Sequence, residues 1–281
     1  MNYKLGLKVL SAAMLLSVTS ASADVKCKAV YGEGERTFKL ATGSPGELGL
    51  LKVIAEKFSS INNAKMCWVK AGSGKSLKYL KNKDVDIVMV HAPAGEKKAI
   101  KEGWAIKRTL IGSNEFYIAG PKNDPAGISE AKTVASAYDK IAKAKAPFIS
   151  RGDNSGTNKK ELAIWKKANI KPKGEWYIIT KDFMMASLKE ANNVNGYFMT
   201  DSSTWVAGMK EMNNLKVLFK GDPMLVNHYH ALAQAKGATK SQDLASKFVD
   251  FIASEEGQKI ISDYGVSKYG LPMYNNAKNT H

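Results

Sequence analysis

The stretch Asp86–His91 reads Asp-Ile-Val-Met-Val-His, and its apolar centre has no polar face. A strand that is apolar on both sides belongs inside a parallel sheet, where crossover helices cover both faces. The flanking sequence supplies candidates for those helices and for further strands. Thr37–Ala41 reads as a strand, and Leu48–Phe58 places Leu51, Ile54, Ala55 and Phe58 at helical spacing. Met66–Val69 reads as the next strand, and Leu77 and Leu80 mark a short helix. The order β-α-β-α-β predicts a doubly wound α/β lobe.

A second lobe is expected to open near Phe116–Gly120. Its strand candidates are Pro147–Ser150, Trp176–Ile179, Tyr197–Thr200 and Leu215–Phe219, and its helices are Thr133–Ala144 and Lys159–Ala168. His228–Ala233 reads as one more strand, and Gln242–Tyr264 as one long helical pattern. No repeat, low-complexity tract or Pro-rich linker divides the chain. A chain that leaves one lobe, builds another and returns without a linker predicts two crossing strands acting as a hinge, the architecture of a ligand-closing binding protein. The expected division is residues 24–114 with 230–281 for lobe one and residues 115–229 for lobe two.

At the N-terminus, Lys4 and Lys8 flank the start of an apolar run, Val9–Val18, and Ala21-Ser22-Ala23 follows. The run is shorter than the roughly 20 residues of a bilayer-spanning helix. This layout predicts a signal peptide over residues 1–23 and a periplasmic protein. Lys plus Arg number 42 against 26 Asp plus Glu, a net +16 that falls to +14 once Lys4 and Lys8 are removed. Outside the cytoplasm neither ATP nor genomic DNA is at hand, so nucleic acid is not an expected partner. The charge reads as attraction for small anions or an acidic surface, or simply as lysines solvating the exterior. The two cysteines, Cys27 and Cys67, would meet an oxidising compartment as one disulfide or as two free thiols.

Three turns rich in Gly and hydroxyl residues lie between a strand and a helix: Thr42-Gly43-Ser44-Pro45-Gly46-Glu47, Ala71-Gly72-Ser73-Gly74-Lys75-Ser76, and Ser150-Arg151-Gly152-Asp153-Asn154-Ser155-Gly156-Thr157. In open α/β folds the C-terminal strand ends face the ligand crevice. A helix starting there directs free N–H groups and its positive dipole end toward an anion. Each turn taken alone equally fits an ordinary helix cap. The candidate ligand-binding residues are Thr42, Ser44, Glu47, Ser73, Lys75, Ser150, Arg151, Ser155, Thr157 and Asp201. Arg151 is the most informative, because a guanidinium forks onto two oxygens and stays charged. Its alternative is a structural ion pair with Asp153 or Asp201.

Other patterns carry less. Gly74-Lys75-Ser76 ends like a phosphate-binding loop, but Val69 stands where that motif needs Gly. Gly152-Asp153-Asn154-Ser155-Gly156 is not the G-x-S-x-G of serine hydrolases. His91, His228 and His230 read as core or hinge packing, and neither His nor Cys is spaced for a metal. No cofactor is expected.

The chain resembles the periplasmic tungstate-binding proteins of ABC importers. The resemblance rests on Ala71–Leu77, Asp84–Pro93, Gly120–Ile128 and above all Ala146–Thr157, followed by Lys160-Glu161-Leu162 and Trp165, with Trp176-Tyr177 and Thr200-Asp201 in support. It runs from about Ala41 to Ala233. It implies a type II-like two-lobe binding fold, an oxyanion between the lobes, and a membrane permease as partner of a monomeric receptor. The chain departs from the family pattern in three places. Thr42-Gly43-Ser44-Pro45 replaces a Thr-rich turn, Ser202 replaces an Arg, and Asn158 replaces a His. Two other ligand classes therefore stay open beside tungstate or molybdate. A zwitterion would put its carboxylate on Arg151 and its ammonium on Glu47. A hydrolase would use Ser155, for which no base is evident.

Overall fold

The computed structural model describes residues 25–280. The expected signal segment and its cleavage point lie outside the described residues. The chain opens with β1 (Ala29–Tyr31), β2 (Arg36–Thr42), α1 (Ser44–Glu47), α2 (Leu50–Asn62) and β3 (Ala64–Lys70). Next come α3 (Ser73–Lys81), β4 (Ile87–Val90), α4 (Pro93–Lys101) and β5 (Ala105–Pro121). The middle of the chain holds α5 (Val134–Ala144), β6 (Phe148–Ser150), α6 (Gly156–Lys167), β7 (Tyr177–Ile179), α7 (Met184–Asn193), β8 (Tyr197–Asp201) and α8 (Ser202–Gly208). It closes with β9 (Leu215–Phe219), β10 (Val226–Gln234), α9 (Gln242–Ala253), α10 (Glu255–Asp263) and α11 (Val266–Tyr269).

The strands run in the order β1-β3-β2-β4-β10-β5-β8-β6-β7, with β9 also on β5. β2, β3 and β4 are mutually parallel, and so are β6, β7 and β8. The 17-residue β5 belongs to both lobes. Its first part, Ala105–Glu115, pairs antiparallel with β10, and its second part, Phe116–Ala119, pairs with β8. β9 pairs with the same second part and returns through a short 3-10 turn, Pro223–Leu225, into β10. Phe116–Gly120, expected to open the second lobe, is thus the far end of a strand that begins in the first.

Burial explains why Ile87–Val90 carries no polar face. Ile87 and Met89 point into a core with Phe38, Ile54, Phe58 and Phe248, while Val88 and Val90 join Val69, Leu80 and Ala99 on the other face. The second lobe has its own core around Phe116, Tyr138, Phe148 and Trp165. The helical pattern over Gln242–Tyr264 divides in two. Ser254 leaves the helical conformation, its Oγ accepts from the Gly257 N–H, and α10 restarts there.

Cys27 and Cys67 form a disulfide with Cα atoms 5.3 Å apart. Cys67 lies in β3 opposite Val30 of β1, so the bridge fastens a three-residue edge strand to the first sheet. Among the described residues no helix is long and apolar enough to cross a membrane.

Candidate functional site

The C-terminal ends of the two parallel strand sets meet at a narrow, nearly closed cleft of about 10 Å³. Thr42 ends β2 and Gly43, Ser44 and Pro45 follow it, Gly72 and Ser73 follow β3, and Met89 and His91 come from the end of β4. From the other lobe come Arg151 and Ser155 after β6 and Phe183 after β7, with Tyr229 of β10 closing the hinge side. The walls touch. A Cβ added at Gly72 would lie 3.0 Å from that of Ser155, and one at Gly74 only 2.6 Å from the Asn154 carbonyl.

The first wall is made of hydroxyls and helix starts. Thr42 donates its hydroxyl to the Met89 carbonyl at 2.9 Å, which ties β2 to β4 beneath the cavity. Ser44 and Ser73 are the first residues of α1 and α3, where backbone N–H groups have no intrahelical partner. Ser73 Oγ accepts from the His91 N–H at 3.2 Å. The His91 ring is enclosed by Phe116, Tyr229 and Gly156, and its Nδ1 is buried without a partner. Burial, together with the Arg151 and Lys160 charges, pushes its pKa down to about 4, so the imidazole is neutral.

The second wall carries the charge. Arg151 is 4% exposed. Its Nε donates to the Asp182 carbonyl at 3.0 Å and its Nη2 to the Asp153 carboxylate, which leaves the other N–H groups of the fork uncommitted by these bonds. Ser155 caps α6 by accepting from the Asn158 N–H. Gly156, the next residue, must lack a side chain, since a Cβ there would lie 2.4 Å from the His91 ring. Next to Arg151 in sequence, Ser150 donates to a buried carboxylate, Glu161, which also accepts from Tyr177 and Trp165. Burial raises its pKa to about 6 despite those bonds. Lys160 donates to the Met224 and Val226 carbonyls where the chain enters β10, and burial lowers its pKa to about 8.

Five of the residues picked from sequence therefore line the cavity: Thr42, Ser44, Ser73, Arg151 and Ser155. The other five lie elsewhere. Lys75 is exposed and stacks on Tyr79, because the α3 face it occupies turns away from the crevice. Glu47 pairs with Lys70 at 2.9 Å, one turn past the α1 start. Ser150 is held by Glu161, and Thr157 donates to the Met184 sulfur at 3.4 Å. Asp201 caps α8, accepting from the Thr204 N–H and hydroxyl and from Ser203, and it reaches across to Ser44 at 3.5 Å. Both alternatives for Arg151 thus occur together: it faces the cavity and is paired with Asp153.

Sequence reasoning missed His91, Phe183, Lys70 and a hinge pair. Asn227 of β10 donates to Asn114 of β5 at 2.7 Å, and Asn114 donates to Ser203 and Asp201. This buried ladder links the crossing strands to the second wall. Isolated Asn, Phe and Lys residues carry no motif. Only their positions in the closed register reveal them. His230 sits away from the cavity, with Nδ1 3.1 Å from Glu96. Among the described residues no group of His, Cys, Asp and Glu is arranged for a metal ion.

Residues 29–256 match the PBP superfamily domain, the periplasmic binding protein type. A tungstate-binding protein of Peptoclostridium acidaminophilum is 31% identical over 95% of this chain and 96% of its own. The crystal structure of the tungstate ABC transporter from Geobacter sulfurreducens is 40% identical, covers 83% of this chain and all of that chain (100%), and superposes with a TM-score of 0.74. The tungstate-binding protein from Desulfovibrio alaskensis G20 is 37% identical, over 88% of this chain and 100% of its own, with a TM-score of 0.72. With its two crossed lobes and strand-end cleft, the chain belongs to the PBP superfamily and, within it, to the family of periplasmic tungstate-binding proteins.

Proposed function

We propose that this protein is an extracytoplasmic receptor that binds a small oxyanion, tungstate or molybdate, between its lobes and delivers it to an ABC permease. The observation that carries the reading is Arg151. It is a buried cation, fixed by the Asp153 carboxylate and the Asp182 carbonyl, and it lines a cavity walled by the first turns of α1 and α3. Such a site offers charge from one side and oriented N–H and O–H donors from the other, which suits a tetrahedral anion. Under this reading residues 1–23 direct export, residues 24–114 with 230–281 form one lobe, and residues 115–229 form the other. The receptor acts as a monomer without a cofactor and without catalysis.

The zwitterion reading has less support. Glu47 is engaged by Lys70 and does not line the cavity. The hydrolase reading has less support, because Ser155 Oγ accepts from the Asn158 N–H as the cap of α6. A thermal-shift panel tests the proposal. Tungstate or molybdate at about 100 times Kd should add about 2.7 kcal/mol and raise Tm by roughly 5–10 °C. Amino acids and short peptides should leave Tm unmoved. A shift with amino acids and none with any oxyanion would reverse the choice.

A further inference from the structure

Phe183 lies in the loop after β7 and lines the cavity. Two cations meet its ring. Arg151, from its own lobe, places Cζ 5.3 Å from the ring centroid. Lys70, at the end of β3 in the other lobe, places Nζ 4.1 Å from it. Lys70 is also anchored by Glu47, with both side chains about a quarter exposed (27% and 23%). The aromatic ring therefore joins the charged residue of one wall to an ion pair of the opposite wall. A hydrogen bond that also crosses here, Ser44 to Asp201, is long at 3.5 Å. An aromatic face attracts cations electrostatically, more strongly as water is excluded. A ring so placed does two things. It covers the guanidinium of Arg151, and it lies against the ammonium of Lys70 on the opposite wall.

We infer that Phe183 is a positioning residue and cross-cleft latch, holding Arg151 on its own lobe and capturing Lys70 of the other, so that it sets how slowly a bound oxyanion escapes. The inference rests on the oxyanion reading of the site. It assigns Phe183 no contact with the anion. Its effect belongs to dissociation, because the Lys70 contact forms only on closure and breaks before release. Leucine at this position keeps an apolar side chain but has no aromatic face. Tryptophan keeps the face and strengthens it.

The test is stopped-flow measurement of tungstate binding and release on the intact protein, Phe183→Leu, Phe183→Trp, Lys70→Met and the Phe183→Leu/Lys70→Met double variant. Release from Phe183→Leu should be faster by about 3- to 30-fold, with a much smaller change in association. Phe183→Trp should release as slowly as the unaltered protein or more slowly. Lys70→Met should speed release, and the double variant should be no faster than the faster single one, since both remove the same contact. Unchanged release from Phe183→Leu overturns the latch. So does fast release from Phe183→Trp, or full additivity in the double variant. Absence of tungstate binding to the unaltered protein overturns the oxyanion reading and the latch with it.

Discussion

The two walls of the cleft are built from the same parts and do different work. Each is a set of parallel strands whose C-terminal ends run into helices: β2, β3 and β4 on one side, β6, β7 and β8 on the other. On the first wall those ends present Thr42, Ser44 and Ser73 with a neutral His91. On the second they present Arg151, held by Asp153, while Glu161 holds the neighbouring Ser150. The difference teaches that the charged residue among those lining the cavity, Arg151, stands on one lobe. The charged wall would attract an anion at a distance, and the hydroxyl wall would complete the shell only on closure. Removing a residue from the charged wall should therefore cost affinity for every anion. Removing one from the hydroxyl wall should cost less and alter selectivity.

The largest effect expected is that of Arg151→Ala. Stripping the charge-assisted partner from a desolvated site costs about 2–5 kcal/mol, so tungstate affinity should fall by roughly two to four orders of magnitude in equilibrium dialysis. Next is Gly156→Ala, which forces a methyl group into the His91 ring. Overpacking of this kind costs about 1–3 kcal/mol, to be read by urea denaturation, and the displaced ring should weaken binding as well. Ser73→Ala should cost about 0.5–1.5 kcal/mol of affinity, measured by calorimetry, and should affect tungstate and sulfate unequally. An equal loss for all anions would erase the distinction between the walls.

The pH dependence of stability isolates His91. Its folded pKa of about 4 lies below its ordinary value of 6.5, so the unfolded chain binds a proton first as pH falls. Stability that is complete above pH 6.5 should decline between pH 6.5 and 4, by on the order of 2–3 kcal/mol from this residue. Glu161 works in the opposite sense. With a folded pKa raised to about 6, the native state takes its proton first and gains stability as pH falls through 6 toward 4.5. The difference between the protein and His91→Gln cancels Glu161, and that difference should shrink from pH 7 to pH 4 in denaturant titrations. A constant difference would place a polar partner on Nδ1. The smallest effect is that of Glu47→Gln, which removes an ion pair outside the cavity and should change tungstate affinity by less than about fivefold, as for a partly exposed pair.

Much of the fold was legible because its signal is local. The unbroken apolar Ile87–Val90 marks a strand covered on both faces, and the alternation around it gives the layers. The glycine turns before α1, α3 and α6 announce a crevice, and Arg151 stands out as the charge within it. What could not be read is set by register across long distances. β5 is a single strand because two different partners, β10 and β8, continue each other along it. Lys75 and Ser73 are two residues apart on one helix, and only the helix orientation decides that Ser73 faces the cavity. Phe183, Lys70, Asn114 and Asn227 acquire meaning only when residues 113 positions apart are brought together across the hinge.

The most direct test of the central claim is calorimetric titration of tungstate into the unaltered protein, followed by displacement with molybdate, sulfate and a panel of amino acids. The account predicts a single saturable site, competition by molybdate, weaker competition by sulfate and none by amino acids. Absence of a tungstate heat, or saturable binding of an amino acid that tungstate fails to displace, would contradict it.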